Sequence, residues 1–349
     1  MATLLTEQGL LAGTHNLTAE TGTIPVTGAD CNSRVVRAGH LFVCKGRAFS
    51  PAYLTSALEQ GAVAYLCDEE HADGLAATAP GVPALIASDL RRAMAVTSAE
   101  AFGHPDRDLT TIGITGTKGK STVSYMLRAV LDGGEPYSTA GVIGSIETFD
   151  GVENLESHNT TPEAPDLWRH IAHMRDAHLA YLDMEVSSQG LKYDRVLGLD
   201  LDVACFLNIG RDHISPVEHP NFEDYFASKL RIFDHARAAV INLDCDHADV
   251  IRTHAEKCER VLSFSAETRP GADVWATDVR SSRGVVQFRA HTPSWEGNIA
   301  LAMPGLFNVD NALATIAICE LLGIGRERIQ AALVRAKVPG RMELLLTPD

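Results

Sequence analysis

A lysine and a serine close a glycine-rich turn, Thr115-Gly116-Thr117-Lys118-Gly119-Lys120-Ser121, which follows directly on an apolar run through Ile112 and Ile114. Such a turn aims backbone N–H groups and the start of a helix at one point, the arrangement that surrounds a phosphate. Lys120 would reach the terminal phosphates of a nucleotide, and the Ser121 hydroxyl would ligate Mg²⁺. The strict phosphate-loop pattern opens with a glycine where this chain has Ile114, so the turn is a shortened form made by Gly116 and Gly119. Nucleotide binding is the reading this stretch supports.

Other reactive groups stand at the ends of further apolar runs. Glu185 closes the run from Tyr181 and precedes Ser187-Ser188. A carboxylate there is costly unless paired or metal-bound; it either caps a strand in water or serves as a Mg²⁺ ligand facing the loop. His213, in Arg211-Asp212-His213, follows the next run and reads as a structural hydrogen-bonder or as a group on the same rim. Lys229 interrupts a stripe of Phe222, Tyr225, Phe226, Ile232 and Phe233 on a helix expected over 221–236. Two readings fit it. Either the stem packs and the ammonium snorkels to solvent, or the amine is shielded, loses its proton and reacts with CO₂. A carbamate would reverse its charge and make it an oxygen ligand for a divalent cation. Asn159-Thr160-Thr161-Pro162 precedes another helical pattern. Thr161 is its N-cap with Pro162 at the first position, or these hydroxyl and amide groups contact a polar ligand. Arg195 is suited to clamp an anion bidentately.

The elements that must position these groups alternate. Residues 41–44, 63–67 and 82–87 read as strands, with helices over 53–60 and, capped by Asp89, through 101. The polar, Pro-interrupted stretch 104–108 reads as a linker. Beyond it, apolar runs at 111–115, 181–186, 203–207 and 239–243 suit the middle of a parallel sheet, whose ligands sit at the carboxyl ends of strands. Residues 271–303 read as antiparallel hairpins, and 308–322 as a helix stopped by Gly323. The fold class is therefore α/β: a small N-terminal α/β domain, then a parallel-sheet domain of phosphate-loop type with a short antiparallel part.

Length and composition bound the answer. At 349 residues the chain is long for one core, so two or three domains are expected. Its 45% hydrophobic content suits a soluble globular protein. No apolar run approaches the roughly 20 residues of a membrane helix, and 1–14 lack the pattern of a signal peptide. Seven scattered cysteines read as reduced thiols of a cytosolic protein. The net charge of −15 argues against a general nucleic-acid binder.

Taken together the motifs resemble the Mur ligases, ATP-dependent amide ligases of bacterial cell-wall precursor synthesis. The matching pieces are the loop 113–121, Asn159-Thr160-Thr161-Pro162, Met184-Glu185-Val186-Ser187-Ser188, Arg211-Asp212-His213, Ala227-Ser228-Lys229, Phe307-Asn308-Val309-Asp310-Asn311 and Val338-Pro339-Gly340-Arg341-Met342-Glu343, in the family's order. With Ser33-Arg34 and Gly39-His40-Leu41-Phe42-Val43, they look most like the member that adds the third amino acid, L-lysine, meso-diaminopimelate or a similar residue, to UDP-N-acetylmuramoyl-L-alanyl-D-glutamate.

The resemblance implies a UDP-sugar-binding domain over 1–107, an ATP-binding domain over 108–340 and, in 341–349, the start of a further ligase domain that this chain lacks, so that the chain alone would bind without turning over. Gly116, Thr117, Lys118, Gly119, Lys120 and Ser121 would hold ATP, with Asn308 and Asn311 on the adenine side. Ser121, Glu185 and His213 would serve Mg²⁺. Lys120, Glu185, His213 and Lys229 would be catalytic, with Lys229 carried as N6-carboxylysine formed from CO₂. Ser33 would contact uridine; Asn159, Thr160, Thr161, Ser187 and Arg195 would contact the muramoyl-dipeptide. The partners implied are that UDP substrate and an amino acid, with neither nucleic acid nor membrane; oligomeric state leaves no signal. The chain departs from the family at Lys118 (usually asparagine), Ser121 (usually threonine), Gln189 (commonly histidine) and Tyr193 (glutamine in some). Two rival readings remain: a ligase acting on another glutamyl acceptor, such as a folylpolyglutamate or poly-γ-glutamate synthetase, and a non-catalytic two-domain module that binds nucleotide or UDP-sugar.

Overall fold

Short apolar strands alternate with amphipathic helices throughout the computed structural model, which describes every residue except Arg47, Glu135, Pro136, His213, Pro216, Val217, Arg283 and 340–349. The chain divides into two units: Met1–Arg107 with Pro162–His173 and Tyr193–Leu199, and the remainder from Asp108 onward. Two segments within 108–340 therefore group with the first unit, and Arg195 goes with them.

The first unit begins with α1 (Ala2–Glu7) and β1 (Leu11–His15), followed by β2 (Gly28–Asp30), β3 (His40–Val43), α2 (Pro51–Glu59), β4 (Ala64–Asp68), α3 (Ala72–Thr78), β5 (Ala84–Ala87) and α4 (Leu90–Phe102). Among the described residues the strands form one sheet in the order β1-β5-β4-β3-β2, antiparallel only at β1–β5. Asp89 caps α4 by accepting the N–H groups of Arg91 and Arg92 at 3.1 and 3.2 Å, and Gly103 at φ +73° ends it. Within the expected linker, Pro105–Asp108 form a 3₁₀ turn with Pro105 and Asp106 buried.

The second unit opens with β6 (Thr110–Thr115) and α5 (Lys120–Asp132). It continues through β7 (Ala140–Ile143), the hairpin β8 (Glu147–Phe149) and β9 (Asn154–Glu156), α6 (Ala164–Asp176), whose first ten residues group with the first unit, β10 (Tyr181–Glu185) and α7 (Ser188–Lys192). After these come β11 (Leu201–Phe206), α8 (Phe222–Leu230), β12 (Ala236–Asn242), α9 (Ala248–Ala255), β13 (Arg260–Ser265), β14 (Val274–Ser282), β15 (Val285–His291), β16 (Glu296–Leu301), α10 (Asn308–Leu321) and α11 (Arg326–Leu333). Among the described residues one sheet runs β16-β15-β14-β13-β12-β11-β6-β10-β7-β8-β9. It is parallel from β14 to β7 and antiparallel at both margins. From β11 the chain moves outward strand by strand to β16, whereas β7 to β9 lie on the other side of β6 with β10 inserted between β6 and β7. Strand order reverses around β6, and ligands of open α/β sheets bind outside the carboxyl ends at such a point. Helix α10 is buried nearly all round, against α5 and β12 to β14, as a helix apolar on every face must be.

The helix expected over 221–236 is shorter. It ends at Leu230, runs on as a 3₁₀ turn over Arg231–His235, and β12 already starts at Ala236. No helix among the described residues is long and apolar enough to cross a membrane.

Candidate functional site

The carboxyl ends of β6, β10, β11 and β12 open into a cavity of about 960 Å³ in the second unit, at the upper end of the roughly 300–1,000 Å³ of small-molecule sites. Its lining includes Thr117 to Thr122, Ser145, Thr160, Glu185, Asn242, Asp244, Glu267, Phe307, Asn308 and Asn311.

The loop reaches its shape because Gly119 sits at φ +90° and a Cβ there would lie 2.5 Å from the Asn311 side-chain oxygen, so only glycine fits. It is pinned from β11. Asn208 accepts the Lys118 N–H at 2.9 Å and donates to the Lys118 carbonyl at 3.0 Å, and the Thr117 hydroxyl accepts the Gly210 N–H at 2.9 Å. Lys120 and Ser121 begin α5, so the helix N-terminus faces the cavity.

Glu185 is 2% exposed. Its Oε1 accepts the Ser145 N–H at 3.0 Å and the Ser145 hydroxyl at 3.2 Å. Ser121 Oγ lies 3.0 Å from Ser145 Oγ; because Ser145 donates to the carboxylate, Ser121 donates to Ser145. A Cβ on Gly144 would lie 2.6 Å from Glu185 Oε1, so this approach needs glycine. Among the described residues no lysine or arginine pairs with Glu185, and its hydrogen bonds come from neutral groups. A buried carboxylate beside two hydroxyls at a phosphate loop is an oxygen donor set that fits Mg²⁺. Asp183, on the same strand face, is different. Burial first, and the nearby Glu185 as well, push it up to about 8 against a hydrogen bond from Ser124 at 2.8 Å.

Lys229 does not snorkel. It is 2% exposed, donates to the Gly116 carbonyl at 3.0 Å and to Thr115 Oγ1 at 3.5 Å, and lies over the Tyr225 ring at 5.0 Å. Lys120 donates to the same Gly116 carbonyl at 2.9 Å. Burial, and then the Lys120 charge, push the Lys229 pKa well below that of an ordinary lysine, with Asp212 opposing. The amine therefore gives up its proton more readily than an ordinary lysine.

Asn308 and Asn311 line the cavity although nearly buried, Asn311 donating to Asn308 Oδ1 at 3.0 Å and Asn308 to the Pro304 carbonyl at 2.8 Å. Thr160 borders the cavity and Asn159 is exposed. Thr161 is fully buried and caps no helix, since α6 starts at Ala164; its hydroxyl donates to the Glu185 carbonyl at 3.0 Å and accepts the Ser187 N–H at 2.9 Å. It supports the strand exit. Ser187 is half-buried and accepts the Gly190 N–H at 3.0 Å. Ser33 and Arg195 belong to the first unit, Ser33 buried and Arg195 paired with Glu163 at 2.8 Å. His213 and the 340–349 part of the last motif lie outside the described residues.

Sequence reasoning passed over Ser145, Asn208 and Tyr225 as functional groups. Ser145 follows β7, a four-residue Ala-Gly-Val-Ile run that carries a weaker signal than the other strands. The Tyr225 hydroxyl, 3.0 Å from Thr117 Oγ1, was counted only as part of the apolar stripe.

Residues 114–319 match the family model described as the Mur ligase middle domain. The chain is 39% identical over 335 residues to a UDP-N-acetylmuramyl-tripeptide synthetase of Bifidobacterium longum, covering 93% of this chain and 63% of that protein. It is 35% identical over 338 residues to a UDP-N-acetylmuramoyl-L-alanyl-D-glutamate–L-lysine ligase of Enterococcus faecalis, covering 95% and 65%. The chain thus spans a little under two thirds of the length of these relatives. A solved UDP-N-acetylmuramoyl-L-alanyl-D-glutamate–2,6-diaminopimelate ligase shares its fold, with a TM-score of 0.77 at 24% identity over 93% of this chain and 66% of that one. A solved folylpolyglutamate synthetase is more distant, at a TM-score of 0.56 and 14% identity.

Proposed function

The chain belongs to the Mur ligase family, and on that premise we propose that it is the nucleotide- and UDP-substrate-binding part of a cytoplasmic, ATP-dependent amide ligase. The substrate is UDP-N-acetylmuramoyl-L-alanyl-D-glutamate and the product carries a third amino acid. The relatives at 35–39% identity favour this acceptor over a folylpolyglutamate or poly-γ-glutamate one. They are themselves named as ligases, which favours an enzyme over a binding module.

The observation that carries the reading is the Ser121–Ser145–Glu185 array standing beside Lys120 and the phosphate loop. The loop N–H groups, Lys120 and the α5 N-terminus hold the ATP phosphates, while Asn308 and Asn311 belong to the adenine end. Ser121 and Glu185, with His213 from the motif, hold Mg²⁺, which when bound offsets charge on the transferring phosphoryl group. The γ-phosphoryl group passes to the D-glutamyl side-chain carboxylate, releasing ADP and leaving an acyl phosphate. The amino acid's amine then adds to that carbonyl, and the tetrahedral adduct loses phosphate and a proton to give the amide. Lys120 stabilises the negative charge that grows on the transferred group, the interaction from which such chemistry gains most. Lys229, buried and with its pKa depressed, is the amine suited to take up CO₂; its carbamate would add an oxygen donor to the metal side. Ser33 serves uridine, and Asn159, Thr160, Ser187 and Arg195 the muramoyl-dipeptide.

Lys120→Ala tests the reading. ATP affinity should weaken by roughly 2–3 kcal/mol, the scale of a lost charge-assisted contact to a desolvated anion. Unchanged affinity in isothermal titration would sink it.

A further inference from the structure

The ligase reading above makes no use of His219, a fully buried imidazole in the second unit. Its Nδ1 lies 2.6 Å from Asp224 Oδ2 and its Nε2 2.9 Å from Ser188 Oγ. The same Asp224 oxygen accepts Lys192 Nζ at 2.6 Å. Desolvation works to raise the Asp224 pKa, but the Lys192 and His219 hydrogen bonds outweigh it and hold the carboxyl below its usual range. Asp224 is thus an anion that accepts from Nδ1–H, and Nε2 shares a hydrogen bond with the Ser188 hydroxyl.

Serine, histidine and aspartate in this order have the geometry of a nucleophilic triad. Ser188, however, is only 5% exposed and does not border the cavity, so no substrate carbonyl reaches it there. The bonds act on position instead. Helix α7 has five residues, too few to hold itself by its own hydrogen bonds. Its place rests on ties to the segment around α8: Ser188 to His219, Lys192 to Asp224 and to the Glu218 carbonyl at 3.2 Å, and the Leu191 carbonyl to Arg231 at 2.5 Å. Helix α7 leaves directly from Glu185, and α8 carries Lys229. Between them stands Tyr225. Its ring meets His219 edge-on at 5.1 Å, its face lies under Lys229, and its hydroxyl touches Thr117 of the phosphate loop.

We propose that His219 is a positioning residue of the ligase: bridging Ser188 and Asp224, it fixes the strand exit that bears Glu185 against the helix that bears Lys229. An apolar side chain of the same size would fill the space without setting the direction of either helix.

The test uses the protein expressed from its complete gene, with ADP release and amide product both followed. His219→Ala should lower kcat about 100-fold, the scale of a misplacement near 1 Å, while KM for ATP stays within twofold. The bicarbonate concentration giving half-maximal rate should rise, because Lys229 is held less well. His219→Gln, whose amide still reaches one partner, should recover about tenfold over alanine, and Ser188→Ala should sit between the two. If His219→Ala does not fold, Ser188→Ala, which removes one hydroxyl, carries the test alone. Wild-type kcat in both Ser188→Ala and His219→Gln would overturn the proposal. So would a loss of kcat that only tracks the fraction folded, with no change in bicarbonate dependence. A wild-type protein that binds ATP but forms no amide overturns the ligase reading, and this inference with it; active wild type with indifferent variants overturns the inference alone.

Discussion

In the first unit Glu163 takes Arg195 on one carboxylate oxygen at 2.8 Å and Lys45 on the other. In the second, Lys120 and Lys229 both donate to a single carbonyl oxygen, that of Gly116, while Glu185 is held by the amide and hydroxyl of Ser145. The first arrangement neutralises charge where it stands. The second keeps a buried amine and a buried carboxylate without a direct counter-charge among the described residues. Desolvated groups of that kind are expensive and cluster where a ligand supplies what is missing. Glu163 shows the opposite outcome. Burial tends to raise its pKa, but Lys45 and Arg195 outweigh burial and hold it below the usual value, as a satisfied ion pair requires.

The largest effect should come from breaking the unneutralised side. Lys229→Ala should cost the ligase about 10³-fold in rate, the scale of removing one electrostatic stabiliser from a water-poor site. Millimolar acetate or bicarbonate should restore part of it by supplying an oxygen donor. ADP release coupled to product mass spectrometry reads both, and full activity in the alanine variant would remove Lys229 from the chemistry.

Lys229→Met sharpens the same comparison on stability. The folded-state pKa of Lys229 lies below its unfolded value. The unfolded chain therefore binds the extra proton between the two, and burial of the lysine costs more as pH falls through that window. The methionine variant should melt higher than wild type, by a margin that grows as pH falls below the ordinary lysine value of 10.5. A margin independent of pH would mean that the amine is charged in place.

Much of this contrast was legible in the chain. The runs ending at Thr115, Glu185 and Phe206 announced parallel strands, and the carboxyl ends of such strands are where the cavity lies. Lys229 stood out because it interrupts an aromatic stripe. Whether its amine reached water was not legible, since that depends on the loop at Thr115 and Gly116, more than a hundred residues away, folding over it. The stripe also misled about length: residues three apart align in a 3₁₀ turn as well as in an α-helix, so Ile232 and Phe233 fit a helix that stops at Leu230. Thr161 looked like a cap because Pro162 follows it. Its hydroxyl instead bridges Glu185 and Ser187, and only the register of β10 brings those groups to it. Strand β7 was too short and too small-residued to stand out, and Ser145 was lost with it.

The smallest effect belongs to the neutralised side. Glu163→Gln leaves the shape but removes the anion, so Lys45 and Arg195 keep a neutral acceptor in place of a charged one. Both cations are partly solvated, with side chains 25% and 14% exposed, and water takes up much of what the carboxylate gave. The expected loss at pH 7 is about 1 kcal/mol. Its sign with pH follows from the depressed pKa of Glu163. The ion pairs contribute fully above the ordinary carboxylate value of 4.5 and are lost as pH falls through the lower folded-state value. Wild type and variant should therefore converge in acid, the reverse of the Lys229→Met margin, which widens as pH falls. Urea unfolding at pH 7 and at about pH 3 measures the convergence, and isothermal titration should find ATP affinity unaltered. A gap that persists in acid would mean that Glu163 stabilises by packing, and that its charge is not what balances Lys45 and Arg195.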